Sequence, residues 1–475
     1  MFNHPARACL AICLALLAIG SRSGQARARA ADESVVAFVG VNVLPMDREY
    51  VLRNRTVLVR GDRIETIGRA GRVPVPEGAA VVKGKGRYLM PGLADMHVHT
   101  WYREEHIFYI ANGVTTIRDM WGSEGHVRFR DEILRGESFG ATMSVATPSF
   151  VGPGAVIDRA QEVTRAGETK RALRKAAAMG YDYVKVHERL GSVPYRAAVK
   201  AARKAGIPIV GHVPAPVGVN AVFAAGVQRS ISHFRMFPSR LGATNWLSPL
   251  TEAPMRSLAR ELRDLDIYND PTLVTLRYVF TPAEAEAFRN HPDLKYTQPW
   301  ELERWYYWFD TYGPWTPPAS RDVHLENKLK MLRALFDARA PILLGTDGGY
   351  PFIIQGYAMH EELELYVQAG LRPFDALHIA TVGAAEFLGV SDEVGKVQEG
   401  LRADLVLLEA NPFQRIHNTR KIAGVVVRGQ WLDAAELKRR LEEVAAIERV
   451  GDHARLRPSP PPSAGNLHAA ENPHW

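Results

Sequence analysis

Thiols are almost absent from this chain. It has two cysteines among 475 residues, Cys9 and Cys13, and both lie in the first 30 residues. Beyond that segment no disulfide is available to the fold, a composition compatible with an oxidising compartment. The chain also lacks a run of Lys and Arg with interleaved aromatic residues, so we expect no nucleic-acid partner.

The first 30 residues have the pattern of a bacterial-type signal peptide. Arg7 precedes an apolar core from Cys9 to Ile19, and Ala28-Arg29-Ala30 offers a small-x-small cleavage site. This core is shorter than the roughly 20 residues that span a bilayer. We therefore expect cleavage, export to the periplasm or medium, and no stable membrane insertion afterwards; a retained anchor is the alternative. Cleavage would lower the formal net charge from +7 to +3, because the segment has four arginines and no acids.

Several apolar, strand-like runs end in side chains that could bind a metal. His97 and His99 follow such a run, and they point the same way because successive side chains of a strand alternate between faces. Neutral imidazole is the commonest metal ligand. Further runs end at Lys185 and His187, at His212, at His233 and at Asp347. Since barrel active sites lie at the C-terminal ends of the strands, the pattern predicts one metal site. A role without metal is the alternative for each histidine.

The order of these runs predicts the domain organisation. Residues 91–390 alternate strand and helix patterns, which predicts an α/β fold with a (β/α)8 TIM barrel. We expect its strands near Leu93, Thr115, Ser144, Val184, Ile209, Ser230, Leu273 and Leu343, with helices that include Lys170 to Met179, Pro194 to Ala205 and Asn327 to Ala338. Short strands in 31–90 and 391–435 predict a small β-sandwich built from both ends of the chain. Residues 436–475 should form a helix and a disordered, Pro-rich tail.

Together these motifs resemble the amidohydrolase superfamily of metal-dependent hydrolases, in its imidazolonepropionase-like or prolidase-like branch. The resemblance runs from about Val36 to Trp431. The motifs that carry it are Met90-Pro91-Gly92-Leu93 before His-x-His, Gly211-His212-Val213, Thr346-Asp347, and Gly400-Leu401-Arg402-Ala403-Asp404-Leu405-Val406. The resemblance implies the same barrel and sandwich, and a substrate that is a dipeptide or an N-acyl amino acid.

The candidate ligands suit two divalent cations, with zinc expected first and manganese, iron or cobalt as alternatives. We expect His97, His99 and Asp347 on one cation, and His212 and His233 on the other. Lys185 would lie between the cations as a carbamate, because the resemblance implies a lysine at the matching position of prolidase-like relatives. His187, on the same strand face, is the rival ligand. An ion pair of Lys185 inside the barrel is the other alternative.

These groups predict a hydrolytic reaction. Two cations about 3.5 to 4 Å apart would share a hydroxide and polarise the substrate carbonyl. Asp347 would take the proton of the attacking water, the general-base role that the resemblance also implies; helix capping is its alternative. We expect hydrolysis of a C–N amide bond. Hydrolysis of a lactone or phosphotriester on the same site, or a catalytically silent scaffold, are the alternatives.

Specificity should come from the loops. The segment 277–321 is unusually aromatic, and it could be either a lid or an accessory helix packed on the barrel. Its aromatic residues include Tyr296, Trp300, Trp305, Tyr306, Tyr307, Trp308, Phe309, Tyr312 and Trp315. Arg118, His187 and His360 are further candidates for the substrate pocket. The expected partner is a small-molecule substrate, and a homo-oligomer remains open.

Overall fold

The computed structural model describes residues 34–154, 159–278, 282–312 and 318–447. The expected signal segment 1–30 and the Pro-rich tail therefore lie outside the described residues. The strands are β1 Val35–Val43, β2 Leu52–Arg60, β3 Arg63–Arg69, β4 Ala80–Lys83, β5 Tyr88–Pro91, β6 Leu93–Val98, β7 Val114–Asp119, β8 Thr142–Val145, β9 Ser149–Val151, β10 Ala160–Glu162, β11 Val184–Val186, β12 Ile209–Gly211, β13 Gln228–Ser232, β14 Tyr268–Asp270, β15 Leu405–Leu408, β16 Ile422–Val427 and β17 Gln430–Asp433.

Helices separate most of the central strands. They are α1 His106–Ala111, α2 Glu124–Leu134, α3 Ala166–Ala178, α4 Ser192–Ala205, α5 Val219–Ala225, α6 Glu252–Asp264, α7 Pro282–Phe288, α8 Pro299–Tyr312, α9 Pro318–Ala338, α10 Tyr357–Gln368, α11 Pro373–His378, α12 Ala384–Leu388 and α13 Ala434–Ala445. The expected helices Pro194 to Ala205 and Asn327 to Ala338 fall within α4 and α9, and Lys170 to Met179 falls within α3 except for Met179, which is the C-cap. Gly206 caps α4 in the left-handed conformation, with φ of 68°. In the part of the chain described here, none of the helices has the length and apolar character needed to cross a membrane.

Both ends of the described chain contribute to one separate sheet. Its order is β17-β16-β15-β5-β1-β2-β3, with β4 also paired to β1. The early and late segments join edge to edge, because β15 runs antiparallel to β5 with Leu405 opposite Pro91. Phe38 and Val57 are fully buried in the apolar core of this sheet, and the Trp431 ring contacts Phe38 edge-on at 5.2 Å. The segments before and after the central region therefore form one small sheet domain.

The central region is a TIM-barrel-like α/β arrangement. Parallel pairing gives one sheet in the order β10-β9-β11-β12-β13-β14 and another in the order β6-β7-β8. Single parallel bridges join Ala146 to Tyr183, Asn269 to Ile342 and Val98 to Gly348. The chain near Leu343, expected to be the eighth strand, thus contacts both sheets through isolated bridges and a few hydrogen bonds rather than a long ladder.

The seventh strand lies earlier than the sequence pattern predicts. We expected it near Leu273, but the strand is β14, and residues Leu273–Tyr278 form a 3-10 helix. Pro271 directly follows β14 and has no backbone N–H for a ladder hydrogen bond, which ends the strand. The next residue, Thr272, has φ of 47° and turns the chain away. This shift places Asp270, rather than a later residue, at the end of the strand.

Candidate metal centre

The end of β6 brings the two histidines of the His-x-His motif to one carboxylate. His99 Nε2 lies 2.7 Å from Asp347 Oδ1, and His97 Nε2 lies 3.3 Å from the same oxygen. One ligand atom of each of these three buried residues falls within 4.8 Å of the others. Among the described residues no hydrogen-bond partner reaches the buried Nδ1 of His99. This donor set fits a divalent cation of the zinc type.

A tight turn puts Asp347 in reach of both histidines. Its backbone N–H donates to the carbonyl of His97 at 2.8 Å, and its φ of 65° is uncommon for a residue with a side chain. Gly349 follows with φ of 88°, and a Cβ there would lie 2.1 Å from the carbonyl oxygen of His99. Only glycine therefore permits this approach. Strained backbone of this kind at a strand end is common in functional sites.

The charges in this cluster favour an ionised carboxylate and a neutral imidazole. Burial alone would raise the pKa of Asp347, but His233 and the hydrogen bond from His99 outweigh it and lower that pKa. Burial, with Lys185 nearby, lowers the pKa of His97 well below its usual value. A metal needs both groups without their protons. The two shifts therefore prepare the cluster for a cation.

Lys185 lies in the floor of the same pocket. It is 3% exposed, and its Nζ is 3.3 Å from His97 Nε2. Burial lowers the pKa of this lysine to about 8. Gly211 on the neighbouring β12 makes room for the side chain, because a Cβ at that position would lie 2.7 Å from Lys185 Cδ. The lysine can thus present a neutral amine close to the metal ligands.

A second group of ligand atoms lies beside the first. His187, Glu188 and His212 are buried, and their ligand atoms lie within 4.8 Å of one another. The His233 ring is 4.9 Å from the rings of both His97 and His212, so it stands between the two groups. The structure therefore brings together all the histidines expected from the sequence to bind metal. It also places His187, the rival ligand, 4.6 Å from His212 between ring centroids.

Two carboxylates near the site were not among the sequence candidates. Glu188 Oε2 lies 3.2 Å from Nδ1 of His212, and Asp270 Oδ2 lies 2.5 Å from Nδ1 of His97. A carboxylate on the far nitrogen of a histidine fixes its tautomer and orientation toward a metal. Glu188 directly follows His187, a signal that sequence reasoning could have used. The sequence pattern does not point to Asp270, because it predicts the seventh strand near Leu273, after this residue.

Two of the three candidate pocket residues lie elsewhere. Arg118 is fully buried beneath the site, where its Nε donates to the carbonyl of Met96 at 2.6 Å and its Nη2 lies 3.4 Å from Asp270. It therefore supports Asp270 and does not line the pocket. His360 is buried on α10 with its Nδ1 2.9 Å from Thr419 Oγ1, between the barrel helices and the small sheet domain. His187 does line the pocket.

A pocket that opens to solvent lies above the ligands. Its wall includes residues that sequence reasoning did not single out: Trp121, Ser149, Arg235, Thr275, Lys328 and Tyr350. Arg235 Nε lies 2.6 Å from Glu188 Oε2, so this arginine is joined to the second ligand group.

The aromatic insert has one fully buried ring and one half-buried ring that contacts a tryptophan outside the insert. Trp305 on α8 is fully buried and contacts the Phe352 ring at 5.8 Å. Trp300 on the same helix contacts Trp101 at 6.1 Å, and Trp101 in turn contacts Trp121 beside His99. The side chains of Trp308, Phe309, Tyr312 and Trp315 lie outside the described part of the structure. The helix is thus packed on the barrel, and one of its rings begins a path of indoles toward the site.

Residues 107–432 match the sequence profile of the amidohydrolase family. The chain belongs to this family. It is accordingly a hydrolase, and the convergent His and Asp groups agree with the metal binding typical of the family. The resemblance seen in the sequence motifs is confirmed.

Individual relatives and solved structures are also similar to this chain. A 5-methylthioadenosine/S-adenosylhomocysteine deaminase of Caldanaerobacter subterraneus subsp. tengcongensis (strain DSM 15242 / JCM 11007 / NBRC 100824 / MB4) is 22% identical over 78% of this chain and 84% of its own length. A Bifidobacterium longum protein assigned as a prolidase superposes with a TM-score of 0.66 at 24% identity, covering 87% of this chain and 99% of the other. A bottromycin amidohydrolase superposes with a TM-score of 0.69 at 25% identity, covering 88% and 92%.

Proposed function

We propose that this protein uses two divalent cations to hydrolyse a C–N amide bond, in a dipeptide or an N-acyl amino acid. The observation that supports this proposal is the convergence of two ligand groups on one pocket. His97, His99 and Asp347 form one group, and His212 lies in the other with His233 between them. Lys185, once its neutral amine has added carbon dioxide to form a carbamate, would supply oxygen ligands to these cations; its amine lies 3.3 Å from His97 Nε2.

When bound, such cations lower the pKa of a water molecule and polarise the substrate carbonyl. The remaining steps depend on residues of this chain. Asp347 accepts a proton from the attacking water as the new C–O bond forms. It then returns this proton to the nitrogen of the leaving amine as the C–N bond breaks, so the products are an acid and an amine. Asp270 and Glu188 keep the rings of His97 and His212 in the orientation that ligation needs.

A substrate screen tests the proposal. Zinc- or manganese-loaded protein should hydrolyse glycyl-L-phenylalanine or N-acetyl-L-phenylalanine, and the Asp347→Asn variant should not. The same screen should include a lactone, a phosphotriester and 5-methylthioadenosine, the last because of the deaminase relative. Turnover of any of these three without turnover of the amides would contradict the proposal. Metal analysis showing no bound cation would favour a silent relative.

We also propose that the protein is exported. The support is the Arg7, Cys9 to Ile19 and Ala28-Arg29-Ala30 pattern. Mass spectrometry of the protein from its native host should find a mature N terminus near residue 31. An intact Met1 on the exported or the cytosolic protein would refute this assignment.

A further inference from the structure

Lys328 is a buried cation in the pocket wall. It lies on α9 and is 5% exposed, yet it lines the cavity above the metal ligands. Within the described residues, no hydrogen bond or ion pair joins Lys328 to another side chain. The other cations of the pocket are engaged: Arg235 pairs with Glu188 at 2.6 Å, and Lys185 lies 3.3 Å from His97 Nε2.

The carboxylates that face Lys328 are committed to other groups. Glu362 accepts the backbone N–H groups of Leu273 at 2.9 Å and Val274 at 2.6 Å. Asp347 Oδ1 lies 2.7 Å from His99 Nε2 and belongs to the first group of ligand atoms. Burial, followed by the nearby Arg235, lowers the pKa of Lys328 to about 7. A buried ammonium without a paired anion is unfavourable, so an anion that enters the pocket gains a partner at a favourable site.

We propose that Lys328 binds a carboxylate of the substrate and makes the pocket selective for anionic amides. This inference rests on the proposed function, in which both dipeptides and N-acyl amino acids have a free carboxylate. It goes further by assigning the residue that recognises that group. Neutral substrates such as simple lactones and phosphotriesters would gain nothing from Lys328. The lysine and the metal ligands then bind different parts of the same molecule.

A matched pair of probes tests the role of Lys328. The probes are 3-phenylpropionate and 3-phenylpropanamide, which differ in having a carboxylate or a neutral amide. Their binding is measured by calorimetry on zinc-loaded wild-type protein and on Lys328→Met, which keeps most of the unbranched side chain without the charge. We expect the wild type to favour the carboxylate by about 10-fold or more, because hydrogen bonds between charged groups are the strong ones. Lys328→Met should lose about that factor for the carboxylate and less than about 2-fold for the amide.

The control variant is Lys328→Arg, which keeps a cation and should retain most of the carboxylate preference. Zinc content and the thermal midpoint identify a variant that has lost its metals or its fold. Equal weakening of both probes in Lys328→Met, or a wild type that does not discriminate between them, would overturn the inference. Kinetics separate this result from the proposed function: the kcat/KM ratio of N-acetyl-L-phenylalanine to N-acetyl-L-phenylalaninamide should fall in Lys328→Met. A wild type that hydrolyses neither of these compounds nor glycyl-L-phenylalanine, but keeps the Lys328-dependent preference, refutes the amidase function alone.

Discussion

The small sheet and the strand ends around the pocket differ in strand length and in what they bury. Strands β1 and β2 of the small sheet have nine residues each, and their core is apolar. Strands β11, β12 and β14 have three residues each, and they end in or beside Lys185, His212 and Asp270. Long ladders and apolar burial stabilise the fold, whereas the ends of the short strands place Lys185 and His212 in the cavity wall and Asp270 beneath it. Substitutions in the two regions should therefore affect different properties.

The largest effect on activity should come from Asp347→Asn. The amide cannot accept the proton of the attacking water, so we expect kcat to fall by about 10³-fold or more. The metal-free variant should also unfold at a somewhat lower temperature, because the neutral amide loses the interactions that lower the pKa of Asp347. Asp266→Asn is the matched control, because Asp266 also has positive φ, 51°, but its side chain is 67% exposed and pairs with Arg229 away from the site. A similar loss in both variants would show a general effect of aspartate in this backbone conformation.

Removal of the central lysine tests the two-cation arrangement. Lys185→Ala should abolish most activity and release most of the second metal, since a bridging carbamate would be lost. Metal content is measured by plasma mass spectrometry, and ¹³C-bicarbonate should give a carbamate signal in the wild type that the variant lacks. Added propionate, a short carboxylate, should restore part of the metal and part of the activity. Unchanged metal content and rate would move the bridging role elsewhere, with His187 the first residue to test.

A substitution in the core of the small sheet should have the opposite outcome, a loss of stability without a loss of activity. Phe38 is fully buried and packs edge-on against Trp431. Phe38→Ala should lower the free energy of unfolding by about 3 to 5 kcal/mol, because the cavity adds to the lost burial. Zinc content and kcat per folded molecule should stay at the wild-type level, as judged by denaturant unfolding and titration of active sites. Loss of zinc from the folded fraction would show that the two regions are coupled.

Two buried histidines provide a smaller and sharper comparison. In each histidine, Nδ1 is hydrogen-bonded to one side chain. His97 Nδ1 lies 2.5 Å from Asp270 Oδ2, and His360 Nδ1 lies 2.9 Å from Thr419 Oγ1. Asp270→Asn should weaken zinc binding by about 10- to 100-fold, as is usual for the partner of a ligating histidine. Thr419→Val should leave zinc affinity unchanged and cost about 1 to 3 kcal/mol of stability. Competition with a chelator measures the first effect and thermal unfolding the second; equal zinc affinities in the two variants would contradict the positioning role of Asp270.

Local sequence patterns predict part of the site. The rest depends on contacts between residues that are distant in sequence, and these leave no local pattern. Strand alternation predicts that His97 and His99 share a face, and the Gly-Gly after Asp347 predicts a close turn, both of which the structure has. The register of β14 depends on pairing with strands far away in sequence, so Asp270 was not identified. Lys328 projects from a helix, and only the fold determines that it reaches the cavity.

His360 was predicted to line the pocket, and this prediction is wrong. Its position near the start of a helix that follows Asp347 favoured the pocket, but the helix turns that side chain toward Thr419. The sheet domain could be predicted from both ends because each end has short apolar runs separated by turns rich in Gly and Pro. Its edge-to-edge union through β5 and β15 could not, since backbone pairing between distant segments leaves no local pattern in the sequence.

The smallest predicted effect comes from a comparison of two residues on one helix, α8. One residue should affect stability and the other should affect the choice of substrate. Trp305 on α8 is fully buried, whereas Trp300 is half-buried and contacts Trp101 at the start of the indole path to His99. Trp305→Ala should cost about 3 to 5 kcal/mol of stability without changing the ranking of substrates. Trp300→Ala should instead reduce the preference for aromatic over small amides by up to about 10-fold, with both metals retained, because loss of this ring loosens Trp101 and, through it, Trp121, which lines the cavity. Ratios of kcat/KM for N-acetyl-L-phenylalanine and N-acetyl-L-alanine measure this preference. If Trp300→Ala keeps the wild-type ratio and loses only stability, the whole insert is a packed accessory helix and has no part in selecting substrates.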